Sequence, residues 1–129
     1  PVPPFKDHFN TVLVEGSGGP LAPISDTLTT LDLVKHLNLP VLIVVDNTLG
    51  AINHTLLTIE AIQSKGLNII GIIYTETQPD LNQTIINDNP KIIETHTHLS
   101  NWIQLPFETS TDTLFKLFKN KLGKKIKIH

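Results

Sequence analysis

Two uninterrupted apolar runs, Pro40–Val45 (PVLIVV) and Leu67–Tyr74 (LNIIGIIY), do most to restrict how this chain can fold. Neither alternates polar with apolar residues, so neither suits a strand with one wet face. Strands buried on both faces read this way, and they belong to parallel sheets. Parallel neighbours need a crossover between them, and the intervening Asn53–Lys65 (NHTLLTIEAIQSK) has amphipathic helical spacing with Gly66 as its stop. The centre of the chain therefore reads as strand, helix, strand.

The same alternation extends both ways. Thr11–Glu15 (TVLVE) is a short apolar, β-branched run, and Thr29–Leu37 carries Leu31, Val34 and Leu37 at helical spacing. Leu81–Thr97 reads as a helix broken by Pro90, and Trp102–Leu105 as a short strand. Thr113–Lys121 reads as a last helix with Leu114, Phe115, Leu117 and Phe118 inward. The expectation is an α/β fold, a parallel sheet with helices on both faces, in a single domain without repeat or linker. In such sheets ligands sit beyond the carboxyl ends of the strands. That directs attention to Glu15–Gly19, Asp46–Asn53, Thr75–Pro79 and Pro106–Glu108.

At the first of these, EGSGG sets one carboxylate beside glycines whose N–H groups can approach an anion. Magnesium and phosphate are handled together this way, since Mg²⁺ takes one or two protein carboxylates and fills its shell with water and phosphate oxygens. A tight turn with a solvated Glu15 fits the same residues. The phosphate-loop pattern GxxxxGK[ST] occurs nowhere in the 129 residues. At the second, Asn53 stands at a helix start. There it either caps the helix or, with free backbone N–H groups, receives a carboxylate or phosphate. His96 and His98 alternate in a polar stretch without a third ligand, so no zinc site is assigned.

Composition narrows the classes further. With 40% hydrophobic residues the chain can bury a core, and with no cysteine it has neither a disulfide framework nor a thiolate site. No apolar run approaches the ~18 residues of a membrane span, and PVPPFKDHFN lacks signal-peptide shape, so the expected location is the cytoplasm. The net charge of −2 is unevenly spread. Residues 1–115 hold all 12 acids against 4 lysines, whereas 116–129 hold 6 lysines and no acid. The basic tail fits a nucleic-acid or membrane contact or, by preference, a solvated helix end. The acidic body argues against a nucleic-acid-binding face, so neither nucleic acid nor membrane is expected as a partner. There is no methionine, not even at position 1, which leads us to expect a fragment or a processed product.

Taken together, VLVEGSGGPLAPIS, LNLPVLIVVDNTLGAINHTLLTIEAIQSKGL, NIIGIIY and QLPF resemble the dethiobiotin synthetase family, from about Thr11 to Phe107. The resemblance is to the second half of such an enzyme. It implies a P-loop NTPase-like fold of the SIMIBI type, here without its N-terminal P-loop half, and residues 1–129 as one partial domain. It implies an ATP- and Mg²⁺-dependent ligase of biotin biosynthesis that closes the ureido ring of dethiobiotin from 7,8-diaminononanoate and CO₂. An amine takes up CO₂ as a carbamate, the carbamate oxygen attacks the γ-phosphate, and the second amine closes the ring and expels phosphate.

By residue, the resemblance makes Glu15 the Mg²⁺ ligand and sets Glu15, Gly16, Ser17 and Gly18 around the ATP phosphates. Gly50, Ala51, Ile52 and Asn53 would hold the substrate carboxylate. That contact comes from a neighbouring subunit in the family, which implies a homodimer. Thr75 and Glu76, with Pro106, Phe107 and Glu108, would flank adenine. The adenine position is usually Asn followed by Asp, and a threonine offers one hydroxyl where an amide offers donor and acceptor. The family's catalytic lysine lies in the leading half, so no catalytic residue is assigned and the chain alone is expected to be inactive and poorly soluble. The alternative is a non-catalytic carboxylate- or nucleotide-binding regulatory module without the P-loop half.

Overall fold

The computed structural model describes residues 12–122. Three strands, β1 (Val41–Asp46), β2 (Ile69–Thr75) and β3 (Trp102–Leu105), form one parallel sheet in the order β1-β2-β3. Helix α1 (Thr30–Leu37) precedes β1, and α2 (Ala51–Ser64) and α3 (Gln83–Thr97) cross between the strands. Helix α4 (Thr111–Leu117) follows β3 and runs into a π-helical turn, Phe118–Leu122.

One face of the sheet carries the core. Ile43 pairs laterally with Ile72 and Val45 with Tyr74, and all four are buried against Leu31 of α1, Ile59 and Ile62 of α2, and Ile93 of α3. The opposite face is covered at β3, where Ile103 is 1% exposed, and open at β1, where Val44 is 65% exposed. At the β1–β2 start the register slips between Val41 and Leu42, leaving Ile70 without a counterpart. The Asn101 side chain donates to the Ile70 carbonyl, so the irregularity strands no buried acceptor.

The helix starts show why these segments fold locally. Thr29 caps α1 in a capping box with Asp32, Asn82 accepts from Thr84 and Ile85 at α3, and Ser110 accepts from Thr113 at α4. Asp32 also pairs with Lys65 at 2.7 Å. The Lys65 ammonium, then the Thr29 hydroxyl and N–H, hold the Asp32 carboxyl well below the usual carboxylate range.

Four expectations are corrected. Val12–Glu15 is not a strand: a strand exists only through a neighbour that takes its N–H and C=O groups, and the described residues supply none, leaving Leu13 85% exposed. Thr11, where that strand was to begin, lies outside the described residues, as do residues 123–129 of the basic tail. Helix α2 begins at Ala51, with Gly50 rather than Asn53 at its cap. Helix α3 is not broken by Pro90, which lies buried inside it. Phe115 points outward at 65% exposure, while Leu114, Leu117 and Phe118 are half-buried.

Tyr74 meets Trp102 edge to face, with ring centroids 5.9 Å apart. Its hydroxyl is buried and has no hydrogen-bond partner, and burial, with Glu94 nearby, pushes its pKa up. A buried hydroxyl without a partner carries a desolvation cost of about 1–3 kcal/mol. Tyr74→Phe keeps the ring and removes that cost, so it is expected to leave stability unchanged or raise it by about 1 kcal/mol in urea unfolding. A loss of more than about 1 kcal/mol would mean that the hydroxyl is satisfied in solution.

Candidate functional site

Because all three strands run the same way, their carboxyl ends share one edge, and the loops there are laced together. The Asn47 N–H donates to the Thr75 carbonyl at 2.9 Å, and the Glu76 N–H to the Leu105 carbonyl at 3.0 Å. Thr75 Oγ1 donates to the Val45 carbonyl at 3.1 Å, and Thr77 Oγ1 to Asp46 Oδ1 at 2.8 Å. Gln104 Nε2 donates to Glu76 Oε1 at 3.2 Å, which fixes the Glu76 side chain over the end of β3. Thr75 and Glu76 thus stand beside the Pro106–Glu108 loop, where Phe107 is 39% exposed and Glu108 turns the chain in a left-handed conformation at φ 55°. The residues expected to flank one base are brought together.

Gly50 enters α2 at φ 92°, a left-handed conformation that costs a side chain roughly 1–2 kcal/mol. As a glycine it supplies no capping oxygen. The Ala51 N–H reaches the Thr48 carbonyl at 3.1 Å, but the N–H groups of Ile52 and Asn53 have no acceptor among the described residues. The Asn53 side chain is exposed beside them. The start of α2 therefore offers two free N–H groups, an amide and the positive end of the helix dipole.

The Glu15–Gly19 segment is positioned by α1. A Cβ on Gly16 would come within 2.7 Å of Thr30 Cγ2, so the glycine lets this loop lie against the start of α1. The Leu31 N–H donates to the Pro20 carbonyl and the Thr30 N–H to that of Ala22, both at 3.0 Å. Asp32 in that same turn pairs with Lys65, which follows α2 on the side where β2 begins. No hydrogen bond among the described residues joins Glu15–Gly19 to Asp46–Asn53, Thr75–Glu76 or Pro106–Glu108. The Glu15 side chain is exposed without an ion pair there, and the N–H groups of Gly16, Ser17 and Gly18 have no backbone acceptor.

A free carboxylate beside free N–H groups fits one oxygen ligand of Mg²⁺ next to a phosphate. No group of three or more His, Cys, Asp or Glu residues able to hold a metal ion occurs among the described residues. His96 and His98 are exposed at the end of α3. No helix there is long and apolar enough to cross a membrane.

Sequence reasoning missed a buried polar cluster behind the edge. Asn47 is 0% and Asn89 5% exposed. Asn47 Nδ2 donates to the Ile86 carbonyl at 3.0 Å, and Asn89 Nδ2 donates to Asn47 Oδ1 at 2.9 Å and to the Thr48 carbonyl at 3.1 Å. The only signals available were Pro90 inside a helical pattern and the asparagine before it.

The comparisons with known proteins agree with a parallel α/β fold. A family model described as an AAA domain matches residues 3–113, and the chain belongs to that P-loop NTPase-like family. Within it the similarity is to dethiobiotin synthetases. The ATP-dependent dethiobiotin synthetase BioD of Anaeromyxobacter sp. (strain K) is 38% identical over 115 residues, covering 89% of this chain and 51% of that protein. The enzyme of the same name from Clostridium perfringens is 38% identical over 104 residues, covering 78% and 45%. That from Neorickettsia sennetsu is 51% identical over 70 residues, covering 54% and 28%. The chain thus spans about half the length of these relatives, or less.

Proposed function

We propose that this chain is the part of an ATP-dependent dethiobiotin synthetase that seats the adenine and the carboxylate of 7,8-diaminononanoate, in a cytoplasmic homodimer. The observation that carries the reading is the uncapped start of α2, standing on the same strand-end edge as Thr75, Glu76 and Phe107. The free N–H groups of Ile52 and Asn53, with the Asn53 amide, suit a carboxylate tail.

Thr75 accounts for the base. Its single hydroxyl proton goes to the Val45 carbonyl, so toward a ligand Oγ1 is an acceptor only. An acceptor suits the exocyclic amine of adenine and opposes the carbonyl that guanine presents at that position. Phe107 and Pro106 offer apolar surface to the ring, and Glu108 closes the loop.

Glu15 would hold Mg²⁺, which when bound neutralises charge on the phosphates, and the Gly16, Ser17 and Gly18 N–H groups would line them. Holding carbamate and γ-phosphate in line accounts for most of what such a reaction needs. The residues of this chain bind and orient, and none of them is assigned a proton transfer.

The test uses the full-length protein with 7,8-diaminononanoate, bicarbonate, Mg²⁺ and either ATP or GTP. Dethiobiotin, detected by mass spectrometry with stoichiometric phosphate, is expected, with ATP preferred by about tenfold or more in kcat/KM. Absence of dethiobiotin would remove the ligase reading and leave the non-catalytic binding module. Equal use of GTP would remove Thr75 from base recognition.

A further inference from the structure

We propose that Asn47 and Asn89 are positioning residues for the substrate carboxylate, locking the β1–α2 loop to α3 through the carbonyl that Pro90 leaves bare. The inference rests on reading Gly50–Asn53 as the carboxylate seat. Inside a helix the N–H of residue 90 would bond the carbonyl of Ile86, but proline has no N–H. A buried carbonyl left in that state is costly. Asn47 Nδ2 takes the place of the missing donor at 3.0 Å, reaching across from the loop after β1. That bond turns Asn47 Oδ1 toward Asn89, whose Nδ2 donates to it and to the Thr48 carbonyl. The acceptors at both ends are main-chain carbonyls, so neither amide can be reversed without placing oxygen against oxygen.

The consequence reaches the site through two residues of backbone. The Thr48 carbonyl that Asn89 holds also accepts from the Ala51 N–H, the first of α2, at 3.1 Å. Gly50 lies between them with a backbone free to take many conformations, and Leu49 is 86% exposed. The loop's own bonds, Thr48 N–H to the Asp46 carbonyl and Ala51 N–H to that of Thr48, hold its turn, and the two buried asparagines tie that turn to α3. A proline that would ordinarily weaken a helix thereby creates an attachment point at which α3 orients the start of α2.

The test is a KM-against-kcat split in the full-length enzyme. Asn47→Ala is expected to raise KM for 7,8-diaminononanoate about tenfold, with kcat and KM for ATP within about twofold. Pro90→Ala restores an N–H beneath the Ile86 carbonyl. The double variant is therefore expected to recover the melting temperature that Asn47→Ala loses while keeping the raised KM. A normal KM for the diamine acid alongside a lowered melting temperature would overturn the proposal, because Asn47 would then only support α3. Equal rises in both KM values would overturn it too.

If Asn47→Ala fails to fold, Asn89→Ala removes the Thr48 contact while sparing the Asn47–Ile86 bond. The same split is expected, and its absence overturns the proposal. Asn53→Asp tests the seat itself by placing a negative charge in it. If that variant leaves KM for the diamine acid unchanged, the carboxylate reading fails and the proposal with it. If it raises KM and the Asn47 and Asn89 variants do not, only the positioning role fails.

Discussion

Glu15→Gln in the full-length enzyme is expected to lower kcat by about 10²–10³-fold, a loss comparable to removing one preorganised stabiliser of transition-state charge. The substitution keeps the size of the side chain and one oxygen but removes the negative charge. Mg²⁺ is a hard cation that sheds water reluctantly, so a neutral amide oxygen competes poorly with solvent where a carboxylate does not. The folded state gives little reason to expect collateral damage. Glu15 is exposed and makes no ion pair among the described residues, and surface replacements of that kind usually fall within about 0.5 kcal/mol. Unchanged thermal unfolding with a raised Mg²⁺ requirement is therefore the expected signature. Parental turnover and parental Mg²⁺ dependence in this variant would take Glu15 out of the site.

The strands were legible in the sequence and the attachments between elements were not. β1, β2 and β3 fall within two residues of the apolar runs that announce them, although the run of β1 misstated its burial, since Val44 on its second face is 65% exposed. The start of α2 was displaced by two residues, since Asn53 has the chemistry of a cap and Gly50 only the conformation of one.

Pro90 was misread for a different reason. The rule that proline breaks a helix is local, and the donor that offsets it lies 39 residues before the orphaned carbonyl. Val12–Val14 has the composition of a strand, yet strand structure depends on a partner that no local pattern reveals. At the candidate site, the types at Thr75, Glu76 and Asn53 were visible. That Thr75 spends its only proton on the Val45 carbonyl, leaving Oγ1 an acceptor only, was not.

Within the strands, a continuous apolar run does not say which face carries the stability, and substitutions can. Ile72→Ala is expected to destabilise the chain by about 2–5 kcal/mol, the range for emptying a buried aliphatic position. Ile72 is 0% exposed on the central strand, with Ile43 beside it on β1 and Trp102 on β3. Helices already close that face, so the cavity has little freedom to collapse. Against a total of about 5–15 kcal/mol for a domain, such a loss moves a marginal fold close to its midpoint. Val44, in the run that reads identically, is 65% exposed. Val44→Ala in the same 129-residue chain is expected to change stability by less than about 0.5 kcal/mol. Urea unfolding of the two variants at equal protein concentration measures both. Similar losses from Ile72→Ala and Val44→Ala would mean that the second face of β1 is covered in solution, and the one-sided core described for this sheet would be wrong.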